Sequence, residues 1–330
     1  MQNLIHKIEK TALETEFSGV VSLFKENATV FNKAFGYRDV KNMLLNSTST
    51  RFGIASGTKV FTGLGIGVLI DQGLISLDTT MAEINQEYRG FIDEHATILH
   101  LLTHTSGIYD YYDEEVEEDF ENFSVEIPWY ELETPIDYYP LFEGKAMKFH
   151  PGERYSYSNG GYVFLGMIIE KLTGMLYRDF IYEHVLQAAN MHNSGFFAFN
   201  DLPENTVNGY YEDRRRTNIY QLPIRGGGDG GMYTTTDDLR AFWDNLLLNR
   251  ILSEELTKTY LSTHCTINDR IGYGCGIYKR LDGSMFSIAG GDAGVGFDSR
   301  YILQDKLIIN ILSNITNGES DLRKVVLSTL

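Results

Sequence analysis

The chain has 330 residues, a net charge of -17 at neutral pH, 43% hydrophobic residues and 13% aromatics. That length is enough to bury a large core in one domain or two. The acidic balance excludes nucleic acid as a partner, because phosphate binding requires clustered Lys and Arg.

Residues 2–16 carry apolar positions at helical spacing mixed with charge, which predicts a helix packed by one face on a sheet and not the apolar run of a signal peptide. No later stretch approaches the roughly 18 to 20 uninterrupted apolar residues of a membrane span. The expectation is a cytoplasmic protein without a membrane span. Residues 18–24 and 29–35 are β-rich runs joined by Lys25-Glu26-Asn27-Ala28, a predicted hairpin, and 36–50 is a polar connection.

Phe52-Gly53-Ile54-Ala55-Ser56-Gly57-Thr58-Lys59 then runs into the apolar segment 60–73. With a helix beginning at Ser56, Lys59 lies one turn on and its ammonium reaches the Ser56 hydroxyl from the same face. A serine hydroxyl needs a neighbour to take its proton as it attacks, and burial moves a lysine toward the neutral amine that a general base must be. The helix start adds amide donors where an oxyanion would form. On its own the pair is also compatible with a serine cap followed by a solvated lysine. Gly63, Gly65 and Gly67 interrupt an otherwise apolar helix and predict another backbone passing close by; their spacing does not match a dinucleotide fingerprint.

Residues 98–107 predict a short helix ending at Gly107, with His100 and His104 four apart. Neither an intervening Glu nor a third ligand is evident, so structural histidines are expected and no metal. Residues 109–144 hold no Lys or Arg, and 113–121 alone hold seven carboxylates. Such a run is a solvated insertion unless it packs, and Tyr109, Tyr111, Tyr112, Phe120, Phe123, Trp129 and Tyr130 argue that part of it does, as a lid. The turn-rich loop 151–161 feeds a helix over 162–174. Within it Tyr157 and Asn159 are two apart, so an extended backbone turns both into one cleft, where a tyrosine can relay a proton and an asparagine can position a carbonyl; the plainer role for Asn159 is a helix cap.

The glycine-rich loop 225–231 lacks the Gly-Lys-Ser/Thr element of a phosphate cradle, so a tight packing turn is expected before an amphipathic helix that starts near Thr236. The tail is β-rich at 273–280, 285–289, 299–303 and 307–312, and a last helix covers 319–330. Cys265 and Cys275 have neither redox-pair nor zinc-knuckle spacing and are expected to be buried thiols. The sum is an α+β chain. A single antiparallel sheet is flanked by the first and last helices and formed by residues 1–75 with 231–330. Residues 76–230 make a helical insertion, and the site lies between the two.

Ser56-Gly57-Thr58-Lys59, Tyr157-Ser158-Asn159 and the order of elements together resemble the penicillin-recognising serine hydrolases, most closely the branch with class C β-lactamases, D-alanyl-D-alanine carboxypeptidases and β-lactamase-fold esterases. The resemblance covers nearly the whole chain, supported by Leu101-Leu102-Thr103-His104-Thr105-Ser106-Gly107, Pro151-Gly152 and Gly230-Gly231-Met232-Tyr233-Thr234-Thr235-Thr236. It implies Ser56 as acylated nucleophile, Lys59 as proton partner, Tyr157 as proton shuttle and Asn159 as orienter of the substrate amide. It also implies an oxyanion hole from the Ser56 amide and the 290–294 region, contacts to substrate from Ala289, Gly290 and Gly291, and no metal or cofactor.

One departure stands out. The family's third motif, Lys or His followed by Thr/Ser and Gly, is replaced here by Ser287-Ile288-Ala289-Gly290-Gly291-Asp292. With Ile288 in place of the base that helps hold a substrate carboxylate, esters or neutral peptides are expected over anionic substrates, unless Arg225 or Arg300 substitutes. The expected partner is a small-molecule or peptide substrate. The rival reading is a penicillin-binding or scaffold module that acylates slowly or not at all. A metal hydrolase built on His100 and His104 is a more distant one.

Overall fold

A computed structural model describes residues 1–26, 28–84, 91–117, 119 and 121–329. Asn27 of the first hairpin turn, Phe120 of the acidic insertion and the final Leu330 lie outside the described residues. The chain begins with helix α1 (Gln2–Glu14), hairpin strands β1 (Gly19–Lys25) and β2 (Ala28–Phe35), and a small ladder of β3 (Tyr37–Asp39) with β4 (Leu44–Leu45). That ladder falls inside the polar connection 36–50. Strand β5 (Phe52–Gly53) leads to α2 (Lys59–Asp71). Then come the helices α3 (Met81–Ile84), α4 (Ile98–Leu102), α5 (Tyr139–Phe142), α6 (Asn159–Thr173) and α7 (Tyr177–Ile181). The last third holds β6 (Tyr233–Thr234), α8 (Thr236–Leu247), α9 (Glu254–Tyr260), β7 (Cys265–Thr266), β8 (Ile271–Tyr273), β9 (Tyr278–Arg280), β10 (Met285–Asp292), β11 (Val295–Ile302), β12 (Leu307–Ser313) and α10 (Ser320–Leu327).

Among the described residues eight strands form one antiparallel sheet in the order β2-β1-β12-β11-β10-β9-β8-β7. The N-terminal hairpin thus joins the C-terminal strands through β1 and β12, with Val21 opposite Ile311. Alternate residues of a strand face opposite sides, and both faces here are apolar. Val21, Leu23, Ile309 and Ile311 pack with Leu4, Ile8 and Ala12 of α1 and Leu322 and Val326 of α10. Val20, Phe24, Ile308 and Leu312 face the main core, which α2 and α8 complete through Phe61, Leu64, Phe242 and Trp243. Full burial of side chains this size contributes about 1.5 to 3 kcal/mol each. A sheet covered on both faces explains why β12 is buried along its whole length.

Several elements differ from expectation. The run 273–280 is two strands, β8 and β9, because Gly274 and Gly276 break it; Gly276 adopts φ +82°, and a Cβ on Gly274 would approach the Tyr260 carbonyl to 2.3 Å. The helix after Thr97 stops at Leu102 and not at Gly107, capped by Thr97, whose hydroxyl accepts from the His100 amide. Of the three glycines in α2, only Gly63 faces backbone, the Cys275 carbonyl; Gly65 and Gly67 leave room for the side chains of Ile181 and Leu252. Cys275 is buried and Cys265 only partly so, and both are free. Among the described residues no helix is long and apolar enough to cross a membrane.

Candidate active site

Ser56 does not open an α-helix. It sits in a 3-10 turn over Ala55–Thr58, and the α-helix begins at Lys59. The tighter turn eclipses side chains at i and i+3, which sets Lys59 directly over Ser56. The turn is locked from three sides. The Ile54 amide donates to the Met232 carbonyl (2.9 Å), the Thr58 hydroxyl to the Ala55 carbonyl (2.7 Å), and the Met232 amide to the Thr58 hydroxyl (3.0 Å). Ala55 is held at φ +44°, a conformation that non-glycine residues rarely adopt and that recurs at functional sites.

Lys59 is 1% exposed. Its Nζ lies 2.9 Å from Ser56 Oγ, 2.7 Å from Asn159 Oδ1 and 2.6 Å from the carbonyl of Asp229. The Asn159 amide group is oriented by its own Nδ2, which donates to the Tyr112 carbonyl (2.9 Å) and Glu114 (3.3 Å), so Oδ1 faces the lysine. Asn159 is not the cap of α6. That role belongs to Ser158, whose hydroxyl accepts from the Gly161 amide, and it frees the Asn159 side chain for Lys59. Tyr157 lies under the Lys59 ammonium, 4.9 Å from ring centroid to Nζ, and the nearby Ser56 side chain lowers the proton affinity of its phenol. The structure therefore brings Ser56, Lys59, Tyr157 and Asn159 together.

Burial pushes the Lys59 ammonium below the usual lysine value, against the pull of the carboxylates of Asp229, Glu114, Asp110 and Asp292. Burial also holds the Tyr157 phenol well above its ordinary value, so it is protonated at neutral pH. These carboxylates escape the motif reading. Asp110 accepts from the amides of Asn159 (2.7 Å), Gly160 (2.9 Å) and Tyr112 (3.2 Å) and thereby fixes the start of α6; burial still raises it to about 7. Glu114 comes from the acidic insertion, which is tied down by Lys148 to Asp113 (2.6 Å) and by Arg154 to Glu115 (2.9 Å). Asp229 receives the Tyr111 hydroxyl (2.5 Å). The glycine-rich loop around it is the expected packing turn: a Cβ on Gly228 would approach the Tyr162 carbonyl to 2.3 Å.

His104 is a positioning residue. Its Nδ1 accepts from the Ser158 amide (3.0 Å), its Nε2 meets the Tyr273 hydroxyl (3.1 Å), and its ring lies 4.4 Å from that of Tyr157. His100 turns instead into its own cap, accepting from the Thr97 amide. Among the described residues no group of three metal-ligating side chains occurs.

The end of β10 forms the opposite wall. Gly290 presses on the Ser56 turn so closely that a Cβ would sit 2.1 Å from the Ile54 carbonyl and 2.8 Å from the Ser56 and Gly57 amides. Ala289 and Gly291 flank it, both partly exposed. Strand β9 pairs only with Phe286 and Ser287, so among the described residues Ile288–Asp292 have a sheet partner on the β11 side alone. Ile288 is 2% exposed and belongs to the main core. Arg300 does not replace the missing base, because its guanidinium is bound by both oxygens of Asp298 (2.5 and 2.6 Å). Arg225 is absent from the cavity wall that its neighbours Ile224 and Gly226 help line.

The profile of the family described as "Beta-lactamase" matches residues 5–327. The chain belongs to the beta-lactamase family. Penicillin-binding protein 4* of Bacillus subtilis is 29% identical over 93% of this chain and 69% of its own length. The staphylococcal "Protein flp" is 31% identical over 73% of this chain, a match that spans only 48% of that relative. The crystal structure of a penicillin binding protein from Bacillus halodurans superposes with a TM-score of 0.92 at 35% identity, covering 98% of this chain and all of that one. These likenesses agree with the α+β architecture and make the chain a member of a serine hydrolase family.

Proposed function

We propose that the protein hydrolyses an ester or amide carbonyl through an acyl-enzyme on Ser56. The observation that carries this is the surroundings of Lys59 Nζ. Two of its three partners, Asn159 Oδ1 and the Asp229 carbonyl, can only accept hydrogen bonds. A neutral Lys59 therefore spends both its protons on them and points its lone pair at Ser56 Oγ, 2.9 Å away. Ser56 Oγ attacks the carbonyl carbon and its proton passes to Nζ. The oxyanion is met by the Ser56 amide and an amide from the end of β10. Collapse of the tetrahedral species breaks the bond to the leaving group, which takes a proton from the Tyr157 phenol, refilled from Lys59. Water then attacks the acyl-enzyme with the same groups serving as base and acid. The unpaired edge of β10 beside Ser56 suits an extended substrate segment.

The substrate class follows from what the wall lacks. Ile288 is in the core and Arg300 is bound to Asp298, so no described cation is placed to hold a substrate carboxylate, and esters or neutral amides are favoured over free acids. Intact-protein mass spectrometry of wild type and Ser56→Ala with a penicillin and with an activated ester tests the reading. An adduct or ester turnover on wild type only is expected. Reaction with neither would make the protein a binding module. A preference for a free-acid substrate over its methyl ester would overturn the assigned class.

A further inference from the structure

Beside the Ser56 turn is a cavity of about 70 Å³, reaching Ala55 on one side and Asp229 on the other, with Tyr111, Tyr138 and Phe197 in its walls. Three acceptors line it: the carboxylates of Asp229 and Asp292 and the side-chain amide of Asn218. No Lys, Arg or His is among its described lining residues.

Asn218 is 2% exposed. Its Nδ2 donates to the Ala293 carbonyl at 2.7 Å, which fixes the amide's orientation, and its Oδ1 is buried with no partner among the described residues. A buried acceptor without a donor is costly unless something supplies one. Asp292 accepts the Ala293 amide on Oδ1 (2.9 Å), and the Asp229 side chain accepts the Tyr111 hydroxyl. Neither carboxylate forms an ion pair with a described residue. Lys59, the nearby cation, is turned to Ser56, Asn159 and the Asp229 main chain. Burial raises Asp292 to about 7, the condition of a carboxylate that lacks a counter-ion.

We propose that this cavity is the subsite for a substrate ammonium, so that the hydrolysed carbonyl belongs to a primary amine carried on an apolar body, with Asp229, Asp292 and Asn218 Oδ1 accepting its protons. The proposal rests on the reading of Ser56 and Lys59 as the acylating pair only for what happens after binding. Three N–H donors meet two carboxylates that form no ion pair with a described residue and the unpartnered Asn218 Oδ1, and aromatic rings favour a cation further. The amine can be the α-ammonium of an aminoacyl compound or the terminal ammonium of a longer chain; both present the same chemistry.

Binding to Ser56→Ala, measured by titration calorimetry, separates this proposal from catalysis. The probes are phenylalaninamide in both stereochemical forms, its N-acetyl derivative, 3-phenylpropionamide and 6-aminohexanamide. At least one free amine is expected to bind ten times more tightly than the neutral probes. Whichever amine wins identifies the source of the ammonium. In Asp292→Asn, made in the same background and checked for folding by circular dichroism, the ratio is expected to fall toward one. Equal affinity of amines and neutral probes, or a preference unchanged in both Asp292→Asn and Asp229→Asn, overturns the subsite. Turnover of a neutral p-nitrophenyl ester by wild type is read in parallel. Its absence would sink the acyl-enzyme reading while the binding ratios still decide the subsite.

Discussion

At the scale of single residues, the site turns on a cation kept from being a permanent cation. Lys59 is buried among four carboxylates that favour its charge, yet desolvation outweighs them and lowers its proton affinity. Because the folded value lies below the ordinary 10.5, the neutral amine becomes available at lower pH than for a solvated lysine. The kcat/KM for a neutral ester is therefore expected to rise with pH along a limb below that value. Lys59→Arg, which stays charged, should remove the limb together with roughly a hundredfold or more of the rate, within the range of general-base catalysis. A limb that persists in the arginine variant would assign it to another group. Ser56→Ala should reduce turnover by about a thousandfold or more without changing the melting temperature by more than a degree or two. Ser56, Lys59, Tyr157 and Asn159 were legible in the sequence because each pair is held by local spacing. Asp110, Glu114, Asp229 and Asp292 were not. They meet Lys59 only through tertiary folding, and Asp229 contacts it with a backbone carbonyl that no side-chain identity encodes.

Elements place these residues by close approach. Gly290 lets β10 press on the 3-10 turn, and Gly290→Ala would put a methyl carbon 2.1 Å from the Ile54 carbonyl. Backbone cannot move aside as the end of a flexible side chain can. The variant is expected to lose about 1 to 3 kcal/mol of stability by overpacking and most of its turnover, seen as a fall in kcat in ester assays at saturating substrate. Unchanged kcat would show that the strand is not part of the site. His104 works from the other side of the cleft by accepting the Ser158 amide between Tyr157 and Asn159. His104→Leu leaves that amide buried without a partner, at an expected cost of about 1 to 3 kcal/mol. Burial holds the imidazole well below its ordinary proton affinity, so it is neutral in the fold; the unfolded chain takes up a proton there near pH 6.5, so the loss should be slightly smaller at pH 6.5 than at pH 8. A loss confined to one pH would instead indicate a charged histidine. The hairpin, the C-terminal strands and the helices α1, α2, α4, α6, α8 and α10 followed from sequence pattern, whereas the short elements between them were not anticipated. Nor were the 3-10 turn and the break between β8 and β9, because both depend on what packs against the backbone rather than on its own pattern.

Across the whole molecule, charge decides how the fold responds to pH. A net charge of -17 already favours the compact state as carboxylates are protonated and self-repulsion falls. Two buried groups add to this with a defined sign. Asp110 and Asp292 are raised from 3.8 to about 7 by burial. Between those values the folded protein holds protons that the unfolded chain has released, so stability falls as pH rises through the window and the penalty is complete above about 7. The melting temperature is expected to be higher at pH 5.5 than at pH 8. Asp292→Asn isolates one contribution, because it keeps the shape and the acceptor for the Ala293 amide while removing the charge. Its melting temperature should exceed that of wild type at pH 8 and converge with it toward pH 5. Two parallel melting curves across that range would mean that Asp292 titrates like a solvated carboxylate, and would take away the electrostatic support for an ammonium beside it.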